Sequence, residues 1–366
     1  RLVLPRVHFV HCCHFLFVKE ESCRGLHGAC DTCNIVMLRT FLSPPLDFAL
    51  TAGATATVLL TFIAWLKFAD ADLTVLFNSL FGRSIGSLKG KVVWITGASS
   101  GIGEYLAYEL ARAGARLVLS GTNSDSLTAV KDRCCEIRGD AEVITVPFDI
   151  SDFASHQSQL KKVLTHYGKV DILVNNAGRS QRAAFGEIDI QTDKEMFDIN
   201  VFGPVSLTRH VMKHFESAGV RGHVVVTSSA AGKLGAPQSA TYTGSKHALH
   251  GYFECLRIEA AITGGMDVTM VVPGPVRSRI RERAFTSSPG QVYGLEDTPD
   301  AKLLSTERCA YLMAVAMANK LDEVWISQNP VLILLYVTQY MPTIFRRYLV
   351  KVIFTKQRIA KIREGR

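Results

Sequence analysis

The chain is short of cysteine where a disulfide framework would need it. Five of its nine cysteines (Cys12, Cys13, Cys23, Cys30 and Cys33) fall in the first 36 residues, and the rest holds only Cys134, Cys135, Cys255 and Cys309. Four scattered thiols in so long a stretch exclude a small disulfide-stapled scaffold. Cys30-x-x-Cys33, with His27 nearby, is half of a zinc pattern, but no second pair has a convincing spacing, so no metal site is assigned. Internal repeats, low-complexity tracts and an Asn-x-Ser/Thr sequon are all missing. Excess charge is missing from the body. The net charge is +8, and residues 346–366 alone carry eight basic residues against Glu364. A nearly neutral body with a basic tail, and no RNA- or DNA-binding motif, points to a membrane surface and excludes a nucleic-acid partner.

What is present changes character along the chain. Residues 1–36, rich in His and Cys and starting at Arg1, read as an upstream extension of the gene model or a disordered segment, with Met37 as the natural start. Phe48 to Leu66 is uncharged. As a helix it would span about 28 Å, close to the hydrocarbon thickness of a bilayer. Trp65 and Lys67 stand where interfacial anchors belong, and no small-residue cleavage pattern follows. Residues 47–67 are therefore expected to form an N-terminal transmembrane signal-anchor; a buried core helix is the competing reading. The mean hydropathy of +0.16 is high for a wholly soluble enzyme. Flanking charge is nearly balanced between Arg39 and the pair Lys67 and Arg83, which leaves the side of the membrane open.

From Lys91 the pattern is repetitive in kind. VVWITG, RLVLSG, EVITVPFD, DILVNNAG, HVVVTSS and DVTMVVPGP are short β-branched runs ending in small or polar residues. Helical stretches such as GEYLAYELARAG separate them, that one stopping at Gly114. Near-continuous apolar strands alternating with helices predict an α/β single catalytic domain: a Rossmann-like, doubly wound parallel sheet covered on both faces.

Thr96-Gly97-Ala98-Ser99-Ser100-Gly101-Ile102-Gly103 follows the first strand and opens the first helix. Glycines there allow a tight turn and bring backbone up to a pyrophosphate on the helix N-terminus. Alone, the loop could be an ordinary Gly-rich turn; its position between strand and helix makes it a dinucleotide loop. At the end of the second strand, an acidic residue would bind a ribose 2′-hydroxyl and repel a 2′-phosphate. Here stand Gly121, Thr122, Asn123 and Ser124, with neither carboxylate nor Arg or Lys. NADP(H) is expected to be preferred, with NAD(H) left open, and Asp149 is expected at the adenine edge.

Tyr242 and Lys246 are four apart and share a helix face. A tyrosine, with its reference pKa of about 10, exchanges protons poorly near neutrality, and an ammonium nearby would lower that value. Ser229, thirteen residues upstream at a strand end, could polarise a carbonyl oxygen. Taken singly, a Tyr/Lys pair on a helix is more often a surface pair than a site.

TGASSGIG, NNAG (175–178), the Ser229/Tyr242/Lys246 spacing, Asn200 in the run DIN, and PGPV (273–276) together resemble the short-chain dehydrogenase/reductases across about residues 88–328. The resemblance implies that Tyr242 is the general acid/base. Lys246 would tune it and hold the nicotinamide ribose, Ser229 would position a substrate carbonyl, and Asn200 would anchor a proton-relay water. It also implies cofactor contacts at Asn176, Ala177, Gly178, Pro273, Gly274, Val276 and Ser278, the last where the family usually has Thr, and support of the cofactor site by Asn175. YTGSK replaces the commoner YSASK. The apolar N-terminus followed by KFADADLTVLF, with SLTRHVMKHF and EVWISQNPVLILLYVTQYMPT, resembles a membrane-bound branch of that family. That likeness implies an endoplasmic-reticulum carbonyl reductase acting on a lipophilic steroid, retinoid or xenobiotic carbonyl or alcohol. A homo-oligomer is allowed. A nucleotide-binding regulator without turnover, and a membrane scaffold, are the rival readings.

Residues 275–300 are expected to form a substrate flap. Its Arg277, Arg279, Arg281 and Arg283 are either a solvated charged loop or an anion attractor. In residues 329–366, the apolar stretch from Pro330 to Phe345 precedes the basic run. It is expected either to lie in the membrane interface or to close the substrate pocket as a helix.

Overall fold

The structure, a computed structural model, describes residues 49–64, 67–295, 303–357 and 359. The expected extension, Met37, the half zinc pattern, Phe48, Trp65 and Leu66, the flap residues 296–300 and most of the basic end from Arg358 lie outside the described residues. Residues 49–64 are helical with exposed side chains, including Val58, Leu60 and Phe62. Among the described residues no helix is long and apolar enough to cross a membrane.

The strands are β1 (Val92–Thr96), β2 (Arg116–Ser120), β3 (Val143–Thr145), β4 (Ile172–Asn175), β5 (Gly222–Thr227), β6 (Met266–Pro273) and β7 (Glu323–Ile326). They form one parallel sheet in the order β3-β2-β1-β4-β5-β6-β7. Strand order reverses beside β1, so β1 and β4 splay apart at their carboxyl ends, where a doubly wound sheet opens its ligand crevice. The expected fold and all six expected strands are present; β7 was not anticipated.

Strand alternation assigns the two cores. Val93 and Ile95 of β1 face α2 (Gly101–Arg112) and α8 (Thr306–Asn319), with Leu106, Leu110 and Met313 buried among them. Val92 and Trp94 face the other way, toward α6 (Gly203–Ser217) and α7 (Ala240–Thr263), which contribute Leu207, Val211, Phe215, Leu249 and Phe253. Each such side chain contributes about 1.5–3 kcal/mol by leaving water, which fixes both helical layers against the strands. Further helices are α1 (Leu73–Phe81), α3 (Ser124–Ile137), α4 (His156–Tyr167), α5 (Ile190–Phe197) and α9 (Val331–Tyr340).

The packing extends beyond the family-like stretch on both sides. Asp72 caps α1 by accepting from the Val75 amide at 3.0 Å, and its backbone amide donates to the Trp325 carbonyl at 2.8 Å. That bond covers the open edge of β7, and Ala71 and Val75 are fully buried. Leu332 and Leu335 of α9 are buried with Ala69, Ala230, Val272 and Trp325. The C-terminal apolar stretch thus packs on the domain in part, while Tyr340, Met341, Ile344 and Tyr348 are exposed. Cys134, Cys135, Cys255 and Cys309 are free thiols.

Candidate active site

The crevice is stitched at its base by Thr96. Its hydroxyl donates to the Val174 carbonyl at 3.2 Å and accepts from the amides of Asn176 and Ala177 at 3.0 and 3.1 Å. Asn176 returns its side-chain amide to the Thr96 and Gly97 carbonyls, both at 3.2 Å. Thr96 and Asn176 therefore join the ends of β1 and β4, and hold the loop in place from below. Gly97 has φ +66°, and a Cβ there would meet the Ala177 Cα at 2.7 Å. A Cβ at Gly103 would meet the Gly97 carbonyl oxygen at 2.4 Å. Only glycine fits either place. Ser100 precedes α2 but makes no side-chain capping bond, which leaves the first-turn N–H groups directed at the crevice mouth. Ser99 comes near Gly121 at the end of β2, and the Ser278 Cβ lies 3.4 Å from where Gly101 would carry one. Residues from β1, β2 and the segment after β6 thus converge on one backbone cradle, which fits a dinucleotide.

Thr122 and Asn123 are exposed at the end of β2. Asn123 is partly committed, because its side-chain oxygen caps α3 through the Ser126 amide at 2.8 Å. Asp149 is exposed beyond β3, and one carboxylate oxygen accepts from the amide and hydroxyl of Ser151 at 2.8 and 2.6 Å. At the end of β6, the Gly274 amide donates to the Ile326 carbonyl at 2.9 Å, and Pro273 and Val276 are buried.

Asn200 lies in a π-helical turn, Asp198–Phe202, between α5 and α6. It is fully buried: its oxygen accepts from the Arg179 amide at 2.8 Å, and its side-chain amide faces the Arg179 carbonyl at 2.9 Å and the Ser245 hydroxyl at 3.0 Å. A Cβ at Gly178 would lie 3.1 Å from the Asn200 oxygen and 3.6 Å from Lys246 Nζ, so these three residues meet. Lys246 is buried on α7 and donates to the Thr227 carbonyl at 2.9 Å. Burial disfavours its charge and pushes its pKa down to about 8.

Tyr242 is half-buried one helical turn earlier, with Lys246 Nζ 5.8 Å from its ring centroid. Its pKa is raised above the usual phenol value, because burial outweighs the lowering by the Ser229 hydroxyl and by the Arg182 charge. The lowering expected from Lys246 therefore comes from other neighbours, and the phenol is protonated near neutrality. One of the three N–H groups of the lysine's ammonium is held by Thr227. Ser229 begins the short turn Ala230–Gly232 and accepts from the Ala231 amide at 3.2 Å.

Sequence reasoning missed Arg182 and Gln238. Arg182 donates to the Gln181 carbonyl at 2.8 Å, to Ser180 at 3.1 Å, and to Ser239 immediately ahead of α7. Gln238 has φ +61°, a strained value for a residue other than glycine. Both line a cavity of about 220 Å³ with Glu187, Thr286, Ser287 and Tyr293. Flap residue Phe285 is tied to the same segment: its amide donates to the Ser180 carbonyl at 2.9 Å, its carbonyl accepts from the Arg182 amide at 2.8 Å, and Arg179 lies over its ring at 4.9 Å. The signal available was RSQR directly after NNAG, two arginines where the substrate side of the crevice begins. Of the flap arginines, Arg279 pairs with Glu282 at 3.0 Å and is solvent-facing.

Comparison with known proteins falls on the same residues. A family model described as short chain dehydrogenase matches residues 91–288. The mouse protein "Dehydrogenase/reductase SDR family member 7" is 42% identical over 79% of this chain and 87% of its own length. The Arabidopsis thaliana "11-beta-hydroxysteroid dehydrogenase 1A" is 37% identical over 63% of this chain and 64% of its own length. A short chain dehydrogenase/reductase from Burkholderia phymatum, solved in complex with NAD, superposes with a TM-score of 0.62 at 27% identity, covering 69% of this chain and 94% of that one. The matched range runs from the glycine loop through the helix bearing Tyr242, and on that ground the chain belongs to the short-chain dehydrogenase/reductase family of oxidoreductases.

Proposed function

We propose that the protein interconverts a carbonyl and an alcohol on a lipophilic small molecule of the steroid, retinoid or xenobiotic class, with NADP(H) preferred over NAD(H), at a membrane. The observation that carries the reading is the meeting of Ser229, Tyr242 and Lys246 beside the glycine cradle at the strand ends. The relative that acts by name on an 11-beta-hydroxysteroid supports the substrate class.

A nicotinamide cofactor, when bound, supplies or accepts the hydride. The α2 N-terminus would hold its pyrophosphate, with Gly97 and Gly103 keeping the backbone close. Thr122 and the free amide hydrogens of Asn123 would meet a 2′-phosphate, Asp149 would face the adenine edge, and Lys246 and Ser278 would meet the nicotinamide end. Ser229 orients the substrate oxygen by donating to it. Tyr242 gives that oxygen a proton in reduction and takes it back in oxidation. Its raised pKa suits the acid role near neutrality. Asn200, held by Arg179 and Ser245, would anchor the water through which that proton is replaced. A polar cavity lined by Arg182 and Gln238 would take a further polar group of the substrate.

Membrane attachment rests on the uncharged stretch within residues 47–67 and on exposed apolar groups in the catalytic unit. Leu73, Phe77, Leu80 and Phe81 of α1 are each more than half exposed, as are Tyr348 and Val352 beside basic Arg346, Arg347 and Lys351. Apolar and basic side chains together suit a headgroup layer. The test is a carbonyl and alcohol panel with both cofactors on the full chain in membranes or detergent. Turnover of lipophilic ketones with NADPH is expected. Cofactor binding with no turnover on any carbonyl would contradict the reading.

A further inference from the structure

Behind Ser229 lies a polar chain that the reaction does not use. The Ser228 hydroxyl is buried, 3.3 Å from the Lys246 carbonyl and 3.0 Å from His250 Nε2. His250 Nδ1 stands 3.7 Å from a Glu323 carboxylate oxygen. That carboxylate takes Lys233 Nζ at 2.9 Å and the Trp325 indole N–H at 2.6 Å. Four elements meet here: the end of β5, the turn after Ser229, α7 and β7.

The hydroxyl of Ser228 has a single proton. It can donate to Lys246 and still be bonded to His250 only if the imidazole is the donor, through Nε2–H. The 3.7 Å on the other side is too long for a hydrogen bond, so Nδ1 needs no proton. With His250 in its Nε2–H tautomer, the chain runs from His250 Nε2–H to Ser228, and from Ser228 O–H to the Lys246 carbonyl. It runs antiparallel to the bond from Lys246 Nζ to the Thr227 carbonyl, so the strand end and the helix are locked by two opposed bonds. There is no slack around them: a Cβ at Gly232 would lie 2.6 Å from the Ser228 oxygen and 2.9 Å from the Lys246 carbonyl oxygen. Burial and the Lys233 charge hold the His250 pKa down at about 4, so the neutral ring persists through the physiological range.

Resting on the proposed carbonyl–alcohol chemistry, we infer that His250 is a positioning residue. It locks Ser228 onto the backbone of Lys246 and so holds Ser229 in reach of Tyr242, while the Glu323 carboxylate, itself held by Lys233 and Trp325, faces the other edge of its ring.

The experiment compares the full chain with His250→Ala, His250→Gln and Ser228→Ala. Gln can present an amide N–H where the ring presented Nε2–H. His250→Ala and Ser228→Ala are expected to lower kcat about tenfold, with substrate KM and NADPH Kd within about twofold, and His250→Gln to recover most of the loss. A kcat within twofold of the parent in both Ala variants, or a Gln variant as impaired as His250→Ala, would overturn the inference. A readout independent of turnover is the Lys246 titration by 13C-lysine NMR, assigned by its loss in Lys246→Arg. Its midpoint should move by more than about half a unit in His250→Ala and return in His250→Gln; an unmoved midpoint overturns the inference. A parent with no turnover overturns the functional reading instead, and the titration then decides the inference by itself.

Discussion

Lys246 donates from Nζ to the backbone carbonyl of Thr227 across 2.9 Å. This bond ties the helix that carries Tyr242 to the end of β5, two residues before Ser229.

The depressed Lys246 pKa gives a pH prediction. With a folded value of about 8, the ammonium is lost as pH rises through that value. kcat/KM for the cofactor, which reports the free enzyme, should fall above about pH 8. A profile flat to pH 9.5 would contradict a charged Lys246 in cofactor capture.

The cofactor preference rests on Thr122. NADPH should exceed NADH in kcat/KM, and Thr122→Asp should move the ratio toward NADH by at least about tenfold by placing a carboxylate against the 2′-phosphate. Both cofactors measured on parent and variant decide it; a parent preferring NADH refutes it.

Gly97→Ala should abolish cofactor binding without unfolding the sheet. The φ of +66° and the 2.7 Å approach to the Ala177 Cα leave no room for a Cβ, so the loop must shift. NADPH titration beside thermal melting checks this. Cofactor affinity within threefold of the parent would show that the loop is not the cradle.

Much of this was legible in the sequence. The β-branched runs gave six strands because a parallel sheet buried on both faces needs continuous apolar residues, and Val92–Thr96 is buried throughout. The seventh, Glu323–Ile326, is short and lies beyond the last of those runs. The glycine loop and the Ser229, Tyr242 and Lys246 spacing were readable because chemistry fixes their order. Gln238 was not, because it reaches the cavity through a positive φ that no local pattern encodes, and Arg182 left a trace only in RSQR after NNAG. Likewise, Asn123 caps a helix, a role that competes with the cofactor contact expected of it.

Acid stability depends on buried neutral histidines. His223 lies in β5, bonded to the Thr269 hydroxyl at 2.8 Å, and burial brings its pKa down to about 4. The unfolded chain binds this proton more readily, so stability present above about pH 6.5 is lost as pH falls toward 4. The slope from this one group approaches about 1.4 kcal/mol per pH unit. Denaturant unfolding from pH 7 to 4.5 should show a shallower slope in His223→Gln. An identical slope would remove His223 from the account.

The most direct measurement is Tyr242→Phe, assayed by steady-state kinetics beside NADPH titration on the same preparation. The substitution removes the oxygen that exchanges the proton and keeps the ring. The account predicts that kcat falls by at least about a hundredfold, while the NADPH Kd stays within threefold of the parent. A near-normal kcat in the Phe variant would contradict the assignment of Tyr242 as the proton donor and acceptor.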